Sequence, residues 1–159
     1  RGHISLARAE FEKGTTGADL DKLARKPIND IGHNYNHGTG HGVGHILSCH
    51  EGPQTISPRG SGCPILPGMI NSNEPGIYIA GSHGIRLENE ILCVKTDDGK
   101  YKFETITFCP FDRNAIIKEK LTEDELIWLN DYHFQVYKRI SSHISERAKK
   151  WLLEATKPL

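Results

Sequence analysis

The chain has no surplus of either charge, no long apolar run and no paired cysteines, and each absence removes a class of function. Twenty basic residues balance twenty acidic ones among 159, which takes away the electrostatic basis for a nucleic-acid or anionic-membrane partner. No apolar stretch approaches the roughly 20 residues of a membrane span, and the first residues lack the apolar segment of a secretory signal. The four cysteines, Cys49, Cys63, Cys93 and Cys109, form no CxxC pair. They read as reduced thiols of a cytoplasmic protein rather than as a disulfide framework or a structural zinc site. Internal repeats and low-complexity tracts are missing too. A chain of this length is the size of one domain and buries a core without covalent staples.

What is present is ordered as helices at both ends with strands between. RGHISLARAEF places Ile4, Leu6, Ala7 and Phe11 in an amphipathic helical pattern, with no capping residue or initiator methionine ahead of it, and so reads as the middle of a longer chain. TGADLDKLARKPI pairs Thr16 with Asp19 as an acidic capping box, adds Leu20, Leu23 and Ala24, and is expected to stop at Pro27. From Asn29 to Gly68 the sequence is dense in Gly, Pro, Ser and His, which predicts a long irregular segment of the kind that carries function. GIYIAGSHGIRLENEILCVKTDDGKYKFETITF has the β-branched and aromatic runs, broken by glycines and an Asp98-Gly99 turn, of an antiparallel meander. Thr122 and Glu125 then cap a helix bearing Leu126, Leu129, Val136 and Ile140, and ERAKKWLLEA predicts one more.

Three segments could carry chemistry. In NHGTGHGVGH, residues 36–45, the histidines 37, 41 and 45 stand four apart, as on one face of a helix. The interleaved glycines forbid that helix, each costing about 1 kcal/mol against alanine, and instead let the backbone turn or approach a ligand. Any one of the nine histidines reads as an ordinary hydrogen-bonded residue; the cluster also suits metal ligation or proton transfer. In NSNEPGIYI, Pro75 forces Glu74 into extended geometry, which suits a carboxylate ligand whose position must be fixed, or equally a strand-ending turn with a solvated glutamate. In GIRLENEIL, a strand would put Arg86, Glu88 and Glu90 on one face, where the arginine favours ionised carboxylates. The plain alternative is an exposed charged face worth a few tenths of a kcal/mol per pair.

In this order and spacing, HGTGHGVGH, HEGP, LPGMINSNEPGIY and GIRLENE resemble the C-terminal catalytic half of the Xaa-Pro aminopeptidase (aminopeptidase P) family, dinuclear metallopeptidases of the pita-bread fold. The resemblance runs from GHISLARAEF to WLLEATKPL. It implies an α+β fold, with a curved antiparallel sheet flanked by helices, in which residues 1–113 are the C-terminal portion of the catalytic domain and 114–159 a helical appendage. It also implies metal ligation by His41, Glu74 and Glu88, substrate-site and proton-transfer roles for His37 and His50, and a supporting role for Arg86. His45 departs from the family pattern and takes no role.

One imidazole among oxygen ligands suits Mn²⁺, with Zn²⁺ or Co²⁺ as alternatives. In the complete enzyme two ions would serve hydrolysis of the bond before a proline at the second position of a peptide. The family's two further aspartate ligands, in D-x-G and T-x-D-x-T contexts upstream of the first helix, have no match among these residues. The resemblance therefore implies an incomplete half that holds one ion or none, with little or no activity alone, and that dimerises or pairs with the missing N-terminal segment. The alternative is a non-catalytic peptide- or protein-binding module on the same fold.

Overall fold

Two helices open the chain in the computed structural model, which describes residues 1–159. α1 (Gly2–Ala7) is shorter than its apolar pattern predicts, because Phe11 leaves it for strand β1 (Glu10–Phe11). There the Phe11 ring packs on Tyr101 and Phe103, with centroids 6.0 and 5.1 Å away. α2 (Gly17–Asn29) begins at the Thr16–Asp19 capping box as expected but does not stop at Pro27. The proline sits in the last turn, where one lost donor is tolerated. Backbone bonding resumes just beyond it, with the Asp30 amide on the Lys26 carbonyl at 2.9 Å, and Ile28 is buried.

The segment after α2 is mostly irregular. It contains one pair of two-residue strands, β2 (Gly40–His41) and β3 (Thr55–Ile56), joined antiparallel with His41 opposite Thr55. The expected meander is divided between two antiparallel sheets. β4 (Ile70–Asn73), β7 (Asn89–Lys95) and β8 (Tyr101–Thr105) form with β1 an antiparallel sheet in the order β1-β8-β7-β4, and β5 (Gly76–Ile79) and β6 (His83–Arg86) form a separate hairpin. The continuous strand expected through GIRLENEIL is broken, since β6 ends at Arg86 and β7 begins at Asn89. Asn89 and Glu90 are instead tied to Thr107, whose Oγ1 accepts from the Asn89 amide at 3.0 Å and from the Glu90 backbone at 2.9 Å.

Leu6, Phe11, Leu20, Ala24, Ile56, Ile65, Ile91 and Phe103 form a buried core in which α1 and α2 meet the sheet. Alternation along β7 supplies Ile91 and Cys93 to it, the period-two pattern of a strand with one buried face. This α+β arrangement makes up one compact unit, residues 1–107, and residues 108–159 make up a second. The division falls ahead of the boundary expected from the sequence after residue 113, because Phe108 and Phe111 pack with Tyr132, Val136 and Leu152. The second unit is helical, with α3 (Glu123–Ile140) closed by the Thr122–Glu125 capping box and α4 (Glu146–Ala155) capped by Ser145.

Candidate metal and proton-transfer site

Backbone pairing presents His41. The glycine before it makes this possible, since a Cβ on Gly40 would lie 1.9 Å from the Ser72 carbonyl oxygen and push β2 away from β4. His41 Nδ1 lies 2.9 Å from the Gly42 carbonyl, which can only accept, so Nδ1 carries the proton and Nε2 faces outward. Nε2 is 3.2 Å from Glu74 Oε1. Ser72 couples the two residues, its hydroxyl accepting from the His41 amide at 3.0 Å and donating to Glu74 Oε1 at 2.9 Å. Glu74 follows β4 directly, its amide donates to the Thr39 carbonyl at 2.8 Å, and its side chain is only 12% exposed. An imidazole nitrogen and a carboxylate held this close are bridged either by a proton or by a cation.

A second chain of polar contacts runs beside the first. Arg86 Nε donates to the Tyr78 hydroxyl at 3.0 Å and lies 3.8 Å from Glu74 Oε2. The bond to Tyr78, with the Glu74 and Glu88 carboxylates nearby, holds the guanidinium still more firmly protonated than usual. His37 Nδ1 sits 2.7 Å from the Gly38 carbonyl and is therefore the protonated nitrogen, leaving Nε2 to accept from the Tyr78 hydroxyl at 2.8 Å. The order of donation is thus Arg86 to Tyr78 to His37. The Tyr78 ring has room because its cross-strand partner is Gly84, where a Cβ would meet the ring at 2.7 Å.

Of the residues singled out in the sequence, the fold brings His37, His41, Glu74 and Arg86 into this linked set and stacks the His50 ring on His41, centroids 3.9 Å apart. Glu88 reaches only the edge of this set, its carboxylate near the Arg86 guanidinium. It lies in the break between β6 and β7, exposed. The trio of potential donors gathered within 4.8 Å is His41, Cys49 and His50, not His41, Glu74 and Glu88. The strand reading that aligns Glu88 with Arg86 and Glu90 fails because pairing stops at Arg86. His45 is exposed.

Sequence patterns do not single out Tyr78 and Ser72, nor the residues that hold the histidine segment. Arg25 on α2 donates to Asp21 Oδ2, Asn34 Oδ1 and the Tyr35 and His37 carbonyls, each at 2.7 Å, and its guanidinium lies 3.9 Å from the Tyr35 ring centre. Thr39 donates to Asp21 Oδ1 at 2.6 Å. Asp21 and Arg25 are 2% and 6% exposed, so this pair is a buried bracket rather than a surface salt bridge. Its visible trace in the sequence is an acidic and a basic residue four apart on a helix.

Residues 2–95 match the model of metallopeptidase family M24, and residues 99–159 match that of the C-terminal region of peptidase M24. The chain belongs to metallopeptidase family M24. It is 41% identical over its whole length to a probable Xaa-Pro aminopeptidase P of Coprinopsis cinerea and 39% identical to aminopeptidase P1 of Arabidopsis thaliana, of which it covers 27% and 26%. Among solved structures, an X-prolyl aminopeptidase of Caenorhabditis elegans, described as a cytosolic enzyme with a di-nuclear active site, matches 99% of this chain with a TM-score of 0.92 and 40% identity. The match covers 27% of that enzyme. A prolidase from Pyrococcus furiosus matches 68% of the chain, with a TM-score of 0.56 and 33% identity, over 30% of its own length. This M24 chain is thus part of a pita-bread fold and spans about a quarter of the length of its curated relatives.

Proposed function

We propose that this M24 chain is the C-terminal, metal-binding portion of the catalytic domain of an Xaa-Pro aminopeptidase, which removes an N-terminal residue linked to proline. The observation that carries the reading is the approach of His41 Nε2 to Glu74 Oε1, 3.2 Å apart and oriented by one serine hydroxyl. The donor chemistry fits a divalent cation: the Nδ1 bond to a carbonyl fixes the tautomer that frees Nε2, and the carboxylate is largely shielded from water. His41 and Glu74 would hold it, with the exposed Glu88 carboxylate between β6 and β7 as a further ligand implied by the family resemblance. A cation there, Mn²⁺ by the preference of oxygen-rich sites, supplies Lewis acidity toward a peptide carbonyl.

The protein's own groups do the rest. The Arg86–Tyr78–His37 chain ends on an imidazole whose Nε2 accepts a hydrogen bond from the tyrosine hydroxyl, which holds that nitrogen in place as a proton acceptor for substrate. His50, exposed and stacked on His41, offers a further imidazole to substrate. Two more aspartate ligands are expected from a segment preceding these residues in the whole enzyme, so this chain alone binds one ion weakly and turns over little. A cytosolic setting agrees with the four free cysteines and with the Caenorhabditis elegans relative.

Calorimetric titration with Mn²⁺ tests the reading. One weak binding event, lost in both His41→Ala and Glu74→Ala, is expected; no heat in the native chain, or heat unchanged in both variants, refutes it and favours a binding-only module. Turnover of a proline-containing tripeptide by these residues alone at the rate of a full-length relative would refute the need for ligands from outside them.

A further inference from the structure

Beside the His41–Glu74 pair lies a thiol that the proposed hydrolysis does not use, Cys49, grouped with two histidines to which that reading gives other roles. The ligand atoms of His41, Cys49 and His50 lie within 4.8 Å of one another. We propose that these three side chains form a site for a thiophilic divalent cation, Zn²⁺ being the natural occupant, distinct from the oxygen-rich position at Glu74.

Backbone closure, not sequence spacing, assembles the set. The Gly44 amide donates to the Ser48 carbonyl and the Glu51 amide to the Gly42 carbonyl, both at 2.8 Å, so the chain leaves His41, turns and returns beside it. The tip of the turn is Leu47, fully exposed and in the left-handed region at φ 57°. The return leg places Cys49 and His50 next to the histidine from which the turn departed. His50 lies with its ring 3.9 Å from that of His41, at 36° between planes.

Tetrahedral zinc, with bonds of about 2.3 Å to sulfur and about 2.0 Å to imidazole nitrogen, needs donors roughly 3.3–3.7 Å apart. Cys49 and His50 are both exposed, so side-chain rotation alone can close the remaining gap without disturbing the core. His41 is already fixed, because the Gly42 carbonyl holds its Nδ1 proton. One thiolate and two imidazoles favour zinc over manganese, the reverse of the His41–Glu74 preference. On binding, the Cys49 thiol loses its proton to solvent as the sulfur–zinc bond forms, and the fourth position stays open to water. Occupancy draws on His41, so the soft site competes with the hard one; that competition rests on the role given to His41 above, whereas binding itself does not.

Cobalt substitution reads the sulfur directly. The native chain titrated with Co²⁺ should develop a thiolate-to-cobalt charge-transfer band that Zn²⁺ abolishes by displacement. In Cys49→Ser the band should vanish and the zinc affinity fall about a hundredfold. It should persist in a Cys63→Ser/Cys109→Ser variant, which removes the other accessible thiols while circular dichroism confirms folding. A native chain without the band, or a band that survives Cys49→Ser, overturns the site. Mn²⁺ heat should be unchanged in Cys49→Ser. Should the native chain lack that heat yet show the band, the hydrolytic reading fails and this one stands; with heat but no band, the thiophilic site fails and the hydrolytic reading stands.

Discussion

Residues 1–107 and residues 108–159 bury side chains by different means. In the first unit the site segment is held by polar bonds reaching far along the sequence, as when Arg25 clamps the carbonyls of Tyr35 and His37 or Ser72 joins His41 to Glu74. In the second, order comes from one apolar face. Tyr132, Val136 and Leu152 pack with Phe108, Phe111 and Trp128, the last stacked on Tyr132 with 5° between ring planes. Both units enclose an uncharged histidine. Burial lowers His3 to about 3, and His133, depressed by burial and by Arg113, accepts from the Phe111 amide through Nε2. Chemistry is carried where positions are fixed by directional bonds, whereas the aromatic face supplies cohesion that tolerates repacking.

Both tryptophans, Trp128 and Trp151, belong to the second unit, so their fluorescence reports that unit while far-ultraviolet circular dichroism reports both. The largest expected effect breaks the bracket of the first. Arg25→Ala leaves Asp21 buried without its partner and frees the segment bearing His37, which should cost about 3–5 kcal/mol in the dichroism transition. Leu152→Ala should cost about 2–4 kcal/mol and move the tryptophan transition.

Acidification sharpens the contrast next. His3 has an ordinary value of 6.5 and about 3 when folded, so below about pH 6.5 the unfolded chain takes up a proton that the folded one refuses. Stability is therefore full above pH 6.5 and falls as the pH drops toward 3. Urea titrations of His3→Gln across this range should show a flatter loss in dichroism, with His133 still imposing the same sign on fluorescence. The smallest effect is at a helix end, where Thr122→Ala removes the acceptor of the Glu125 amide and should cost about 1 kcal/mol, read by fluorescence.

The helical unit is the more legible of the two. The Thr122–Glu125 box and the spacing of Leu129 and Val136 are local signals, and the helix forms where they predict it. The first unit follows its pattern less closely. Pro27 reads as a stop, although its place in the final turn makes it harmless, and GIRLENEIL reads as one strand, although pairing with β5 ends at Arg86. Glu74 and His41 are legible from motif and backbone restraint. Tyr78 is not, because its part depends on Gly84 across the hairpin making room for the ring. Arg25 looks like half of a surface pair, since spacing on a helix does not reveal which face is covered.

Alone, the sequence determined the residue types available for chemistry, the capped helices and the turns, since these depend on neighbours within a few positions of one another. The tertiary structure decided which donors meet. It put His41 against Glu74 and His50, left Glu88 exposed in the break between β6 and β7, and returned Cys49 beside a histidine from which a glycine-rich turn separates it. Those proximities depend on where pairing stops and where a loop closes, and such choices are made by the sum of many contacts across the fold rather than by any stretch of sequence.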